Sequence, residues 1–332
     1  MRLRGSNVLV TGGAGFIGSH LVDLLVAHGV SRMIVVDTLW LGREENLREA
    51  RHARDDIVLL KEDAADYAAL KAIVEPNAFD VVFNLATRPL NYSFVDPRDA
   101  YMTSVDIAAN LAELLRSGAF GRLVQFSTSE VYGDAVETPM SEQHPLQPTT
   151  PYAAGKLAAD VLLRSYIEVF GIPVLTVRPF NNYGPRQNDG DYAAVIPTTI
   201  RRILAGERPF LEGTGEQTRD FTFVRDTAAL TVALAETGDA WGQTLNVAYA
   251  QEVRIGELID TICRLMGYTQ PVDRRPPRPA DHHRHLADTS RARALVPFDP
   301  MTSLEDGLAA TVDWYSRREG QPHERTRATP LA

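Results

Sequence analysis

Two side chains four residues apart could work as a base and its activator. Tyr152 and Lys156 lie in the segment PYAAGK at 151–156, where a proline at a first helical position is followed by small, helix-forming residues. Residues at this spacing share one face of a helix, so the phenol and the ammonium are expected to be neighbours. A positive charge about 4 Å away favours a phenolate by roughly 4 kcal/mol at an effective dielectric constant of ~20, which predicts a lowered tyrosine pKa. The pair therefore predicts a general base beside its activator, although the same spacing also occurs by chance on other helices.

A glycine-rich turn near the start of the chain predicts a phosphate-binding loop. The segment TGGAGFIG at 11–18 follows an apolar strand-like run and opens a helical pattern. Glycines at positions 12, 15 and 18 let the backbone approach a pyrophosphate, and the free N–H groups of the helix start can bind it. We therefore expect a dinucleotide to contact Gly12, Gly15, Phe16, Ile17 and Gly18. The alternative is a simple glycine turn.

An acidic residue closes the second predicted strand. Asp37 can accept a hydrogen bond from an adenosine ribose hydroxyl and would repel a 2′-phosphate, which favours NAD over NADP. Arg43 lies close enough in sequence to soften that repulsion.

Two further strand ends are candidates for the same ligand. Asp63 and Ala64 follow the third predicted strand, and Leu85 and Ala86 follow the fourth. Ligands gather at the carboxyl ends of parallel strands, so we expect the first pair near the adenine. Short polar residues at these places could equally cap loops.

Short apolar runs alternate with helical patterns through the first half of the chain. Strands are predicted at 8–10, 33–36, 57–60, 81–83, 123–126 and 174–177, and helices around 16–28, 44–52, 66–75, 98–117 and 152–170. This alternation predicts an α/β fold with a doubly wound parallel sheet. Patterning becomes less regular after Pro179, so a substrate domain is expected to start there.

Composition narrows the classes of partner and location. The chain has 332 residues, a net charge of −9 and one cysteine, Cys263, so no internal disulfide can form. The acidic balance argues against nucleic acid or an anionic membrane as a partner, and no apolar run reaches the ~18 residues of a spanning helix. Because no signal-peptide pattern precedes the first strand, we expect a cytoplasmic protein.

Seven ordered motifs resemble those of the extended short-chain dehydrogenases/reductases that act on nucleotide sugars. They are TGGAGFIG, VVDTLWLGREENL at 35–47, NLAT at 84–87, STSEVYG at 127–133, TPYAAGK at 150–156, RPFNNYGPRQ at 178–187 and TRDFTFVRD at 218–226. The resemblance implies a Rossmann sheet with a smaller C-terminal α/β substrate domain, NAD as cofactor and a nucleotide sugar as substrate. By resemblance, NAD is bound by Gly12, Gly15, Gly18, Asp37, Asp63 and Lys156; Tyr152 is the base, Thr128 holds the sugar 4-hydroxyl, and Asn181, Arg219 and Arg278 hold the nucleotide diphosphate.

The resemblance also suggests domain bounds. The NAD-binding domain is expected at 1–179 with a returning segment near 219–248, the substrate domain mainly at 180–316, and a disordered tail at 317–332. The Pro- and Arg-rich segment at 274–285 holds three histidines, but no cysteine or paired acid completes a metal site, so we expect no metal.

The identity of a few residues decides which reaction is expected after the first oxidation step. Relatives begin by oxidising the sugar at C4, and the triplet Thr128-Ser129-Glu130 is similar to that of UDP-glucuronate decarboxylases and of GDP-mannose 4,6-dehydratases. Simple 4-epimerases usually have a serine-rich triplet, whereas dehydratases of dTDP-glucose place an aspartate where Ser129 stands. Arg88 or Arg186 could meet a hexuronate carboxylate, but His285 occupies a position where decarboxylases usually have arginine.

We expect decarboxylation of a nucleotide hexuronate first, with 4-epimerisation and 4,6-dehydration as alternatives. The sequence leaves open whether the base is uridine or thymidine. A non-enzymatic NAD sensor is also conceivable, but intact Thr128, Tyr152 and Lys156 argue against it.

Two helices predict an association surface. The helices at 98–117 and 152–170 carry apolar positions, namely Ile107, Leu111, Leu114, Leu157, Val161, Leu162 and Tyr166. In relatives these helices form a four-helix bundle with a second copy, so we expect a homodimer; alternatively, they only cover the sheet.

Overall fold

The computed structural model of the protein describes residues 2–277, 281–298 and 301–318. The strands are β1 (Asn7–Thr11), β2 (Arg32–Val36), β3 (Val58–Leu60), β4 (Val81–Asn84), β5 (Leu123–Phe126), β6 (Val174–Pro179), β7 (Asn182–Tyr183), β8 (Phe210–Glu212), β9 (Thr218–Asp220), β10 (Thr222–Phe223), β11 (Thr244–Val247), β12 (Glu252–Arg254) and β13 (Asp273–Arg275). The α-helices are α1 (Phe16–His28), α2 (Arg48–Ala53), α3 (Tyr67–Val74), α4 (Pro97–Arg116), α5 (Pro151–Phe170), α6 (Val195–Leu204), α7 (Val224–Glu236), α8 (Ile255–Leu265), α9 (Ser290–Leu295) and α10 (Leu304–Arg318).

A seven-stranded parallel sheet forms the larger part of the molecule. Its strand order is β11-β6-β5-β4-β1-β2-β3. The chain adds strands first to one side of β1 and then to the other, as is typical of a doubly wound fold. Strands β1, β4, β5 and β6 are almost wholly buried, as expected when helices cover both faces of a parallel sheet. The predicted α/β class and parallel Rossmann sheet are confirmed.

Smaller elements follow β6. Three two-stranded pairs, β7 with β10, β9 with β12, and β8 with β13, stand beside a helical cluster of α6, α8 and α10. This cluster has its own apolar core, which includes Tyr183, Ile196, Leu258 and Leu308. Between these elements the chain comes back to the main sheet, because α7 packs on α1 and β11 pairs with β6.

Helices α4 and α5 pack closely against each other. A Cβ atom on Gly155 would lie 2.7 Å from the carbonyl oxygen of Tyr101, so only glycine allows this approach. Ile107, Leu111 and Leu114 are buried in the core beneath the helices. These three side chains therefore cover the sheet and are not available to a second copy, contrary to one use we predicted for them.

Two residues of the predicted disordered tail are helical. Arg317 and Arg318 end helix α10, where Arg317 pairs with Asp313 at 2.9 Å and Arg318 pairs with Glu45 at 3.3 Å. Residues 319–332 lie outside the described residues. Within the described ranges, none of the helices is long and apolar enough to cross a membrane.

Candidate active site

A cleft of about 770 Å³ opens at the carboxyl ends of the main-sheet strands, between them and the smaller elements. Every predicted site residue that the structure describes lines this cleft: Gly12, Gly15, Phe16, Ile17, Gly18, Asp37, Asp63, Ala64, Leu85, Ala86, Arg88, Thr128, Ser129, Glu130, Tyr152, Lys156, Asn181, Arg186 and Arg219. Arg278 lies outside the described residues. Parallel strands explain this convergence, because their carboxyl ends share one edge of the sheet.

The glycine turn packs too tightly for other residues. A Cβ on Gly18 would lie 2.2 Å from the carbonyl oxygen of Gly12, and one on Gly12 would lie 2.7 Å from the backbone nitrogen of Ala86. Gly15 caps α1 in an extended conformation without a side-chain hydrogen bond, so the first N–H groups of the helix face the cleft. This cradle fits the pyrophosphate of a dinucleotide.

Asp37 lies at the end of β2 and is only 8% exposed. Its carboxylate accepts hydrogen bonds from the backbone N–H groups of Ala14 and Leu39, each at 2.9 Å. Burial raises the pKa of Asp37, and these backbone donors oppose that effect. The Arg43 guanidinium, which could have softened repulsion of a 2′-phosphate, instead donates to Asp189 at 3.2 Å. The site therefore fits NAD better than NADP.

The third strand end has a structural use. Asp63 accepts a hydrogen bond from the N–H of Ala65 at 2.9 Å, which is the loop capping considered as an alternative. Asn110 of α4 donates to the carbonyl oxygens of Ala64 and Ala65 and fixes this turn at the cleft wall.

Local sequence sets the position of the tyrosine and lysine. Thr150 caps α5 by accepting from the N–H of Ala153 at 3.2 Å, and Pro151 follows at the first helical position. Lys156 is 2% exposed and donates from Nζ to the carbonyl oxygen of Phe126 at 2.9 Å, which ties α5 to the end of β5. Thr128, just beyond that strand, hydrogen-bonds to Tyr152. Tyr152, Lys156 and Thr128 therefore meet at one end of the cleft.

The predicted direction of the Tyr152 pKa is wrong for the protein without ligands. Burial raises this pKa, the hydrogen bond from Thr128 lowers it in part, and the negative charges of Glu130 and Asp160 raise it further. Burial also lowers the pKa of Lys156 to about 8, against the influence of Asp160. Desolvation thus sets both directions, and Lys156 is not among the groups that shift the pKa of Tyr152.

A buried ion pair fixes helix α5 against the main sheet. Arg178 of β6 donates from Nη2 to Asp160 at 2.9 Å, and Ser127 donates to the same carboxylate at 2.8 Å. Both charged side chains are about 5% exposed. Since Asp160 stands four residues after Lys156 on α5, the network fixes the helix that carries Tyr152.

Glu130 has a partner that the sequence did not reveal. Nε2 of His282 lies 3.1 Å from Oε2 of Glu130, with 4% and 15% of the two side chains exposed. Burial alone would raise the pKa of Glu130, but the hydrogen bond from His282 and nearby positive charge lower it to about 2. Glu130 is therefore a carboxylate at neutral pH. The residues are 152 positions apart, and only the three histidines at 274–285 gave a signal, which we read as a failed metal site.

The three predicted substrate arginines that the structure describes have acidic partners. Arg88 donates to Asp99 at 2.7 Å and lies 4.8 Å from the centre of the Trp40 ring. Arg186 is held between Asp23 at 2.6 Å and Glu49 at 3.1 Å, and Arg219 pairs with Asp281. Helices α1 and α2 thus hold the Arg186 guanidinium through Asp23 and Glu49, although the side chain also lines the cleft.

Aromatic rings from three segments also meet at the cleft. Trp40 stacks on Tyr192 at 5.8 Å and contacts Tyr92 edge-on at 4.8 Å. Among residues 2–277, 281–298 and 301–318, no group of three His, Cys, Asp or Glu side chains could hold a metal ion.

Proteins similar to this chain are named for three reactions of nucleotide sugars: 4,6-dehydration, 4-epimerisation and decarboxylation. A family model described as GDP-mannose 4,6 dehydratase matches residues 9–311. UDP-glucose 4-epimerase from Mycolicibacterium smegmatis is 35% identical over 316 residues, 93% of this chain and 98% of the relative. UDP-glucuronic acid decarboxylase 6 from Arabidopsis thaliana is 32% identical over 324 residues, 95% of this chain and 90% of the relative. The crystal structure of dTDP-glucose 4,6-dehydratase from Streptomyces venezuelae with NAD and TYD bound has a TM-score of 0.88 at 28% identity, covering 95% of this chain and 98% of that one.

A Rossmann sheet with a glycine-rich first turn and a tyrosine four residues before a lysine defines an NAD-dependent dehydrogenase-type enzyme. The chain belongs to the extended short-chain dehydrogenases/reductases that act on nucleotide sugars, the family of epimerases, 4,6-dehydratases and UDP-glucuronate decarboxylases. NAD is its cofactor.

Proposed function

We propose that the protein oxidises C4 of a bound nucleotide sugar with Tyr152 as the base. Thr128 holds the 4-hydroxyl beside the phenol, and Lys156 orients the nicotinamide ribose. When bound, NAD accepts the hydride from C4 and can return it. The hydrogen bond between Thr128 and Tyr152, which line the same cleft as the glycine turn, supports this assignment.

For the second step we propose decarboxylation of a nucleotide hexuronate, such as UDP-glucuronate or its thymidine counterpart. Once C4 is a ketone, the C5 carboxylate belongs to a β-keto acid, so loss of CO2 needs hydrogen-bond donors at O4 more than a strong acid. Tyr152 and Thr128 are such donors, and Ser129 is a poor general acid for expelling a C6 hydroxyl. The observation that carries the proposal is the triplet Thr128-Ser129-Glu130 in the cleft. The guanidinium of Arg88, which lines the same cleft, is the candidate for binding the hexuronate carboxylate.

A second candidate is 4,6-dehydration of a nucleotide hexose, and one observation favours it. Glu130 is held as a carboxylate by His282, and a carboxylate beside C5 of a 4-keto hexose could remove the C5 proton. The same carboxyl group could then pass that proton to the departing C6 hydroxyl. His285, at the position where an arginine would suit a hexuronate, is buried and bonded to the carbonyl oxygen of Gly133 at 2.8 Å.

Mass spectrometry separates these functions directly. The protein is incubated with NAD and a panel of UDP- and dTDP-linked hexoses and hexuronates, with Tyr152→Phe as the inactive control. Loss of CO2 is expected from a hexuronate. Loss of water would instead identify a dehydratase, and an epimer of unchanged mass would identify an epimerase. Retention of a labelled carboxyl carbon while the bound cofactor cycles would exclude decarboxylation.

We also propose that the enzyme is a homodimer formed through α5. Exposed apolar side chains on this helix support the proposal, since Val161, Val169 and Phe170 are 44%, 70% and 51% exposed. Size-exclusion chromatography with light scattering at micromolar concentration should give twice the chain mass. A monomer under those conditions would contradict it.

A further inference from the structure

His282 occupies a buried position directly behind Glu130. Its Nε2 lies 3.1 Å from Glu130 Oε2, so the imidazole N–H donates to the carboxylate. Glu130 lines the cleft, whereas His282 reaches the cleft only through that carboxylate. Any effect of His282 on a bound sugar must therefore pass through Glu130.

The backbone around His282 is fixed from two elements. Arg219 of β9 donates from Nη1 to the carbonyl oxygen of His282 at 2.8 Å. The N–H of Thr218 donates to the carbonyl oxygen of His283 at 3.0 Å. Asp134 accepts from the N–H of His283 at 2.8 Å. The imidazole is thus held in register with Glu130 by contacts that do not involve its own ring.

A second histidine covers the ring of His282. The two imidazoles stack with centres 4.7 Å apart and planes 7° apart, and Nε2 of His285 donates to the carbonyl oxygen of Gly133. Burial lowers the pKa of His285 to about 4, so this ring is neutral at pH 7. The charged or titratable groups that surround His282 are Glu130, Asp134, Arg219, Asp281 and His285.

A carboxyl group alone would be poorly suited to the proton transfer at C5. The pKa of Glu130 is lowered to about 2, so this side chain holds no proton at neutral pH that it could donate. Imidazole is the side chain that gains and loses a proton between pH 5 and 8. A histidine at hydrogen-bond distance can therefore store a proton that Glu130 delivers.

We propose that His282 is the proton partner of Glu130, so that the pair handles the proton at C5 of the bound sugar. This inference rests on the proposed function, which places Glu130 beside C5. In decarboxylation the C5–C6 bond breaks, CO2 leaves and the electron pair forms a C4 enolate. A proton then passes from His282 to Glu130 and from Glu130 to C5, and the C4 ketone re-forms. In a dehydratase the same pair would work in reverse and take the proton from C5.

His282→Gln tests proton storage apart from positioning, because an amide can donate to Glu130 but cannot carry a proton. His283→Gln is the matched control, since His283 is adjacent and exposed. Reduction of the cofactor in a single turnover should stay within about twofold of wild type in both variants. Product formation and deuterium uptake at C5 in D2O should slow by about 100-fold in His282→Gln alone, with accumulation of the 4-keto sugar. His282→Gln should also lose the pH dependence of product formation between pH 6 and 8.

Two results would overturn the inference. One is wild-type product formation and pH profile in His282→Gln; the other is equal slowing of cofactor reduction and product formation, which would indicate only a structural role. A substrate-free measurement tests the pair itself: the imidazole nitrogen resonances of His282 should shift in Glu130→Gln, and those of His283 should not. An unchanged His282 signal would reject the pair. If wild-type protein reduces no cofactor with any nucleotide sugar, the proposed function fails, and the resonances still decide whether the pair exists.

Discussion

His20 should make the folded protein sensitive to mild acid. This side chain of α1 is 5% exposed, and its Nε2 lies 2.9 Å from the carbonyl oxygen of Pro185, to which it donates. Burial and the positive charge of Arg186 lower the pKa of His20 from the ordinary 6.5 to about 3. The folded state therefore holds His20 neutral at pH values where the unfolded chain protonates it.

The sign and size of the effect follow from linkage. Because the folded pKa is the lower one, the unfolded chain binds the proton first, and stability is lost as the pH falls below 6.5 towards 3. At pH 5 the loss amounts to about 2 kcal/mol relative to pH 8, at about 1.4 kcal/mol for each pH unit. Asp220 acts in the opposite direction, since burial raises its pKa to about 7, so the net profile of wild type does not isolate His20.

Comparison of wild type with His20→Gln isolates the contribution of His20 to the pH dependence of stability. Glutamine can still donate to Pro185 but does not titrate, so the variant should lose about 2 kcal/mol less than wild type between pH 8 and pH 5. Urea unfolding at pH 8, 7, 6 and 5, followed by tryptophan fluorescence, measures the difference. The exposed His52→Gln serves as a control and should follow wild type. A constant gap between wild type and His20→Gln across this pH range would refute the reasoning.

Three other substitutions test the site. Tyr152→Phe should keep the wild-type unfolding midpoint but lower turnover by about 10²–10⁴-fold, because proton transfer is removed while the ring still packs; full activity would reject Tyr152 as the base. Asp37→Ala should weaken NAD binding and relieve discrimination against NADP in fluorescence titrations, whereas equal use of both cofactors by wild type would contradict the assigned role. Gly18→Ala should abolish NAD binding and cost about 1–3 kcal/mol of stability, because its Cβ would lie 2.2 Å from the Gly12 carbonyl oxygen. Gly238→Ala, with no atom within 4 Å of the added Cβ, should change neither property.

The sheet and the cleft could be predicted because their signals are local. Apolar runs mark each strand, the residues after each run lie at its carboxyl end, and parallel strands bring those ends together. Thr150 and Pro151 similarly mark the start of α5 within one residue of the predicted 152.

Properties that depend on distant groups could not be predicted. The pKa of Tyr152 has the opposite direction because its burial and the charge of Asp160 are consequences of tertiary packing. The loop setting of Arg186 gave no sign that Asp23, 163 residues away, pairs with its guanidinium. His282 reaches Glu130 across 152 residues, and no spacing rule connects such positions.

The late position of β11 in the chain has a consequence for biosynthesis. Strand β6 is buried along its whole length, yet its neighbour β11 is made only after the intervening substrate elements and α7. Until then, a nascent chain exposes an apolar strand with unpaired N–H and C=O groups, which is a template for aggregation. A fragment ending at residue 179 would keep that edge permanently and would lack the α7 cover of α1. We therefore expect cleavage at the apparent domain boundary to give an aggregating fragment rather than a soluble cofactor-binding unit.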